Sequence, residues 1–196
     1  MGQTTSEVSI CNQALGWLGL DPIISLDDPV NTAALCKANF APLRDALMES
    51  TDWTFAQKRV ELPKSADTPA WGYAGQFELP ADCLRINYVT DSPDIYESRP
   101  MDPWVREGSY ILTQSSACFM RYTAVSTDPK QWSEGFAQAL AARLAAEIAM
   151  PATDSATHMG IMQEKYTMLA AIAKQDDGRQ GTAQTIISND LKRVRR

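Results

Sequence analysis

The sequence offers few side chains that could do catalytic chemistry. His158 is its only histidine, so a Ser-His-Asp or Cys-His arrangement would have to use it, and no nucleophile-elbow motif accompanies it. It follows Thr157 near the start of a predicted helix, where an exposed or helix-capping role is the commoner one. We therefore predict no catalytic residue.

Metal and cofactor sites also lack support in the sequence. The cysteines are scattered, with no Cys-x-x-Cys pair, and a single histidine leaves few ways to complete a zinc site. The glycines are dispersed and form no phosphate-binding loop. We predict no metal and no cofactor, and we predict buried free thiols at Cys11, Cys36, Cys83 and Cys118.

Two pairs of acidic residues leave one enzymatic alternative open. Asp27 with Asp28, or Asp91 with Asp94, could supply the two carboxyl groups, roughly 5–10 Å apart, that glycoside hydrolysis needs. Aspartate is also common in loops, because it caps helices and bonds to turn backbones. The chain is therefore predicted not to be an enzyme, with a polysaccharide hydrolase as the alternative.

Charge is distributed unevenly along the chain. Residues 178–196 contain five cations and one anion, a charge of +4, so residues 1–177 must carry −10 to give the net charge of −6. An acidic body would repel DNA at low salt, which argues against nucleic-acid binding by the basic segment. A protein partner with an acidic groove fits that segment better.

Apolar residues at helical spacing predict four helices, and alternating runs predict strands between the second and third. Pro42 is expected to kink or divide the second helix. The strands are CLRINYVT, WVREGSYIL and ACFMRYTA. The first three helices are expected from Thr4-x-x-Glu7 to Gly19, from Asp28-Pro29 to about Ser50, and after Asp128-Pro129 to Pro151. The fourth is indicated by an apolar stripe at Met159, Met162, Tyr166, Leu169 and Ile172.

These elements predict an α+β fold, mainly α. We expect an antiparallel four-helix bundle with a small antiparallel β-sheet or hairpin insertion and an extended C-terminal tail. Residues 1–62 and 128–177 would form the bundle, 63–127 a β-rich arm, and 178–196 the tail. The tail has too few apolar residues to bury a core of its own, so we expect it to become ordered on a partner.

Aromatic residues are concentrated where the bundle would meet the sheet, around the run WGYAGQFELPADCLRINYV at 71–89. Large rings bury much apolar area and would hold the arm at a set angle to the bundle. The alternative is that they are ordinary core. The predicted junction residues are Trp53, Phe55, Trp71, Tyr73 and Leu84.

No segment is predicted to cross a membrane or direct secretion. The richest apolar run, ALAARLAAEIAM at 139–150, is too short to span a bilayer and carries two charged residues. The N-terminus lacks the cationic and apolar regions of a signal peptide, so we expect folding in a cytoplasm.

Four segments, taken in order, resemble one family. They are DWTFAQKRVEL, WGYAGQFELPADCLRINYV, REGSYILTQSSACFMRYTA and STDPKQWSEGFAQALAARLAAEIAMPAT, with Tyr166 and Leu169 following them. Their order and spacing resemble the head-to-tail adaptor proteins of short-tailed bacteriophages, often called tail tubular protein A. The resemblance runs from about Ser6 to Asp177.

The resemblance implies a structural virion protein at the head-tail junction, made in the host bacterial cytoplasm. Such connectors form a ring of about twelve copies between the portal protein and the tail nozzle protein. Genomic DNA passes through the lumen without specific binding. The alternatives are a tail-associated polysaccharide hydrolase and a cytoplasmic helical interaction module.

The resemblance also implies where partners bind. In relatives the helices build the ring, the β portion reaches towards the tail, and the C-terminal extension binds the portal. The nozzle-facing residues of the arm would be Tyr96, Arg99, Trp104 and Arg106. From its charge and isolated apolar residues, we expect the tail to bind the portal through Ile186, Ile187, Leu191, Lys192, Arg193, Arg195 and Arg196.

Overall fold

The computed structural model describes residues 5–93 and 103–180 of the chain. Its helices are α1 (Glu7–Trp17), α2 (Asn31–Glu49), α3 (Glu134–Thr153) and α4 (Ala156–Gly178). Its strands are β1 (Gln57–Glu61), β2 (Gly75–Glu78), β3 (Cys83–Thr90), β4 (Val105–Glu107), β5 (Tyr110–Thr113) and β6 (Phe119–Ala124). No helix in the two described ranges is both long enough and apolar enough to cross a membrane.

Serine side chains begin three of these helices. Ser6 caps α1 and forms a reciprocal capping box with Ser9, whereas the sequence predicted the cap at Thr4, which lies outside the described residues. Ser133 caps α3 and Ser155 caps α4, each accepting a backbone N–H group of the first turn. These hydrogen bonds satisfy donors that have no partner inside the helix.

The predicted cap of the second helix has another role. α2 begins at Asn31, and its N-cap residue Val30 makes no capping hydrogen bond through its side chain. Asp28 instead accepts the backbone N–H groups of Ile24 and Ser25, at 2.7 and 3.1 Å, and so folds the α1–α2 loop. A loop aspartate can satisfy either kind of donor, and here it bonds to the loop's own backbone.

α3 and α4 form a tight antiparallel hairpin. The predicted end of the third helix at Pro151 is wrong, because a proline in the last turn removes one hydrogen bond without ending the helix. Asp154 ends it in the left-handed conformation, with φ of 51°. At the far end of the hairpin, a Cβ on Gly135 would lie 3.0 Å from the Cβ of Ala173. The missing side chain of Gly135 therefore permits the close approach of the two helices.

The predicted antiparallel four-helix bundle with a small hairpin insertion is wrong. The fold is α+β, with four helices and two three-stranded antiparallel sheets. α3 is the central helix, because α1, α2 and α4 all pack against it, and α4 packs extensively on α3 alone among the described helices. Alanine supplies much of the buried surface of α3, so three helices can surround it closely.

The six strands form two sheets that share a hydrophobic core of their own. Sheet 1 has the order β1-β6-β3 and sheet 2 the order β2-β5-β4, with every neighbouring pair antiparallel. Met120 and Tyr122 of β6 are buried in this core together with Phe77 and Ile111 of sheet 2. A separate core lies among the helices. The β portion is therefore a two-layered body rather than a hairpin.

Candidate interaction surfaces

The only histidine in the sequence, His158, lies at the start of a helix. His158 is exposed in the first turn of α4, where its backbone N–H donates to Ser155 Oγ at 3.2 Å. Its Nδ1 lies 3.4 Å from the hydroxyl of Thr153. In the part of the chain that the structure describes, no group of three or more His, Cys, Asp or Glu side chains could hold a metal ion.

The first acidic pair is engaged in holding the α1–α2 loop. Asp27 accepts a hydrogen bond from Lys37 Nζ at 2.6 Å, and this bond and the lysine charge hold the pKa of Asp27 below its usual range. Asp28 accepts two backbone N–H groups of the same loop. Asp91 is exposed, and Asp94 lies outside the described residues.

The cysteine thiols are unpaired, and three of the four are buried. Cys11 on α1 lies beside Cys36 on α2, and hydrogen bonding to this neighbour together with burial raises the pKa of Cys11. Burial raises the pKa of Cys118 to about 11. Because the thiolate is the nucleophilic form, Cys11 and Cys118 are poor nucleophiles near neutral pH.

Five aromatic rings join the end of α2 to the start of α3, and we call this cluster the aromatic junction. Trp53 is fully buried and lies edge-on to Phe136, with ring centroids 5.1 Å apart. Phe55 and Trp132 contact the same Phe136 ring at 5.0 and 5.4 Å, and Phe40 stacks on Trp132. Edge-to-face pairs of this kind stabilise beyond the area they bury. The cluster holds the chain where it leaves α2 for β1.

Three of the five predicted junction residues, Trp53, Phe55 and Leu84, lie in or against the helical core. Trp71 is 86 % exposed and Tyr73 is half-buried, and neither belongs to the aromatic junction. The other three rings of the junction were not predicted. An aromatic residue at helical spacing looks the same in sequence whether it faces another helix or the start of a strand.

Hydrogen bonds link the three strands of sheet 1 beside this junction. Asn87 on β3 donates to Gln57 Oε1 on β1 at 2.8 Å and to Thr123 Oγ1 on β6 at 3.0 Å. Arg85 forms an ion pair with Asp52, which follows α2. Sequence reasoning missed this network, because polar residues in strands cannot be paired until the register is known.

The C-terminal end of α4 is anchored to the same region. Asp177 is buried, and its carboxylate accepts the backbone N–H and the hydroxyl of Thr54, both at 2.9 Å. Gln180, the last described residue before 181–196, donates its N–H to the Asp177 carbonyl at 3.0 Å. The point from which the C-terminal segment continues is therefore fixed relative to the aromatic junction.

We expect Asp177→Ala to lower the free energy of unfolding by about 1–3 kcal/mol, because it leaves the Thr54 donors without their carboxylate. Urea denaturation followed by circular dichroism measures the change. Asp176→Ala is the matched control, since Asp176 pairs with the exposed Arg179, and it should change stability by less than about 0.5 kcal/mol. Equal effects of the two variants would refute the anchoring role.

A second buried polar group lies at the edge of the sheet core. The Tyr122 hydroxyl donates to Asp82 at 3.1 Å, and Lys58 Nζ donates to the other Asp82 oxygen at 2.7 Å. Burial, followed by the hydrogen bond and charge of Asp82, raises the pKa of Tyr122 to about 12. Burial of Asp82 opposes its ionisation, but hydrogen bonds from Lys58 and Tyr122 outweigh this and lower its pKa.

We expect the free energy of unfolding to fall as the pH rises from 10.0, the ordinary pKa of tyrosine, through about 12. The folded protein holds the Tyr122 proton more tightly than the unfolded chain, so deprotonation favours unfolding. Tyr122→Phe removes this titration and should flatten the fall over that interval in urea denaturation. Parallel pH profiles of the two proteins between those limits would contradict the assignment.

Two of the predicted partner-binding residues, Trp104 and Arg106, lie within the described residues. The tail residues Ile186, Ile187, Leu191, Lys192, Arg193, Arg195 and Arg196, and the arm residues Tyr96 and Arg99, lie outside the described residues. Trp104 is exposed just before β4. Arg106 is exposed on β4, and its Nε donates to the Gly108 carbonyl at 3.3 Å.

No protein-family model matches the chain, and no curated protein matches it significantly.

Proposed function

We propose that the chain is a head-to-tail adaptor of a short-tailed bacteriophage. It would be a structural virion protein whose copies form a ring of about twelve between the portal protein and the tail nozzle protein. Residues 181–196 would bind the portal, and the β portion would face the nozzle. The protein would be made in the host bacterial cytoplasm and carried in the virion at the head-tail junction.

One observation carries this proposal: two of the segments that resemble the adaptor family meet at the aromatic junction. Trp53 and Phe55 belong to DWTFAQKRVEL, and Trp132 and Phe136 belong to STDPKQWSEGFAQAL. A connector needs a β portion held firmly on a helical portion, so that contacts at one end are transmitted to the other. The aromatic junction fixes the segment between α2 and β1, and the ion pair between Arg85 of β3 and Asp52 connects sheet 1 to the end of α2.

Charge is consistent with a channel for DNA. Residues 1–177 carry a net charge of −10, and this excess of anions would disfavour phosphate contacts that retain the DNA during ejection. The basic segment 178–196 would instead meet an acidic groove of the portal, where opposite charges speed association. Binding through charge should weaken at high salt, whereas binding through Ile186, Ile187 and Leu191 should not.

Native mass spectrometry of the chain mixed with the portal ring of its own phage tests the role directly. We expect about twelve copies to add to one portal, and we expect a chain truncated after Gln180 to remain folded without adding. Truncation at this point keeps the Asp177 anchor and the end of α4 intact. A truncated chain that still binds would refute the role of the tail.

Absence of added mass for the full chain would overturn the adaptor proposal. The polysaccharide hydrolase would then be tested by release of reducing sugar from capsular polysaccharide. Both carboxylates of the first acidic pair already hold the α1–α2 loop. Hydrolase activity that survives Asp27→Asn and Asp28→Asn would have to come from other acidic residues.

A further inference from the structure

The face of sheet 1 that is turned away from sheet 2 carries two arginines side by side. Arg59 of β1 and Arg121 of β6 lie directly opposite each other in the antiparallel register. Gln57 and Thr123, the next pair on this face, join their side chains by a hydrogen bond of 3.1 Å. Because alternate residues of a strand share a face, Arg59 and Arg121 project to the same side as this pair. We call these two residues the arginine pair.

The arginine pair has no acidic partner among the described residues. None of the ion pairs within the described ranges involves Arg59 or Arg121. Glu61 lies on the same face, two residues along β1 from Arg59, but it forms no ion pair with either arginine. Arg85 of β3 is already paired with Asp52. Two unpaired cations therefore lie beside a single unpaired acid on the described part of this face.

Arg121 also has a hydrogen-bond donor without an acceptor. Its Nε is buried, and among the described residues it is the only buried side-chain nitrogen or oxygen that makes no hydrogen bond. Native proteins satisfy nearly all such atoms, and an orphaned one is often explained by a missing ligand. Like charges directly opposite each other on a sheet are destabilising as well. The free chain thus combines two unfavourable features at one place, and a bound anion would relieve both.

We propose that the arginine pair is an oxyanion site, which receives carboxylate side chains from an acidic segment of a protein partner. Each guanidinium presents a planar fork of N–H donors that matches a carboxylate through two parallel hydrogen bonds. A carboxylate that draws the Arg121 side chain outward gives its Nε an acceptor and places a negative charge between the two positive ones. Phe119, half-buried next to Arg121 on the same face, would help to exclude water from the contact.

Charge favours a protein carboxylate over a nucleic-acid phosphate as the occupant. A nucleic acid would bring a continuous row of phosphates to a body whose net charge is −10 over residues 1–177. A short acidic segment brings only the few charges that the arginine pair can neutralise. The site would serve an acidic partner whether or not the chain is an adaptor, so its test needs neither the portal nor the nozzle protein.

Titration with hexaglutamate tests the site, followed by NMR of the full chain labelled with nitrogen-15. The Nε–H signals of Arg59 and Arg121 should shift as the peptide is added. Arg121→Lys should raise the Kd roughly tenfold, because lysine keeps the charge but lacks the planar fork and its Nε donor. Lys130→Gln is the matched control, since Lys130 is exposed and lies outside sheet 1, and it should change the Kd by less than about twofold.

Thermal unfolding of the free chain provides a second readout. Arg59→Gln should raise the Tm by about 1–4 °C relative to Lys130→Gln, because it removes the like charge opposite Arg121. The two substitutions change the net charge equally, so their difference reports the local repulsion. An arginine retained only for folding would lower the Tm when replaced, and that result would overturn the inference.

Three further results would overturn the inference. The first is an Arg121 Nε–H signal that stays in place, as it would if hexaglutamate bound only to the basic residues 178–196. The second is an equal Kd for Arg121→Lys and the wild-type chain. The third is a hexathymidine oligonucleotide that shifts the Arg121 signal at lower concentration than hexaglutamate, which would assign the arginine pair to a nucleic acid.

Discussion

Replacing Trp53 by alanine is expected to lower the free energy of unfolding by about 3–5 kcal/mol. The side chain is fully buried and contacts both Phe55 and Phe136. Its indole N–H also donates to the Leu47 carbonyl at 2.9 Å, so the substitution removes one partner of a buried hydrogen bond as well as ring contacts. Urea denaturation of the full chain, followed by circular dichroism, measures the loss.

Trp71→Ala is the control for this substitution, because it removes the same side chain from an exposed position. We expect its effect to stay within about 0.5 kcal/mol. The comparison also tests the predicted junction between helices and sheets, because both tryptophans were predicted to lie in it. A larger loss for Trp71→Ala than for Trp53→Ala would mean that the aromatic junction is not what joins the two portions.

Leu144→Ala is expected to lower the free energy of unfolding by about 2–5 kcal/mol. Leu144 is fully buried on α3, the helix against which the other three pack. Many of its neighbours on α3 are buried alanines, which cannot extend to fill a cavity. The space left by the leucine side chain should therefore remain largely empty, which places the cost towards the upper part of that interval.

Met150→Ala tests whether this loss comes from the cavity. Met150 lies on the same helix but is about half exposed, so its truncation should change stability by less than about 0.5 kcal/mol. The two variants have similar helix propensity changes, because leucine and methionine are both good helix formers. Similar losses of stability in the two variants would show that the effect of Leu144→Ala does not come from a cavity in the core.

Helix-forming segments were predictable because their signals are local. Apolar spacing identified all four helices, and the limits were wrong mainly where a residue had two possible partners. Asp28 could cap a helix or fold a loop, and only the position of the Ile24 and Ser25 N–H groups decides between these roles. Pro151 likewise is compatible with the last turn of a helix or with its end.

Strand pairing was not predictable in the same way. The alternation of β6 indicated its two faces, but the pairing of β6 with both β1 and β3 joins residues 29 to 66 positions apart. Local propensity carries no information about such pairing, because the energy comes from packing against distant neighbours. The prediction therefore gave one small antiparallel sheet or hairpin where the chain forms two sheets with a shared core.

For the predicted junction residues too, residue type predicted some of the burial and only the tertiary structure showed the rest. Trp53 and Phe55 have apolar rings and lie next to a helix end, so their residue type alone favoured burial. Trp71 has the same chemistry but is exposed, because no described core lies over that part of the chain. Ile172 was predicted in the apolar stripe of the fourth helix but is 49 % exposed, because an apolar residue at helical spacing is usually interpreted as core.

By itself, the sequence determined where most helices and strands form and which charges dominate. These properties depend on residue type and on neighbours within a few positions. Only the tertiary structure decided that α3 is central, that six strands make two sheets, and that Trp53 is buried whereas Trp71 is exposed. These depend on which distant surfaces bury one another, and the free energy of that burial is shared among residues that no short stretch of sequence contains.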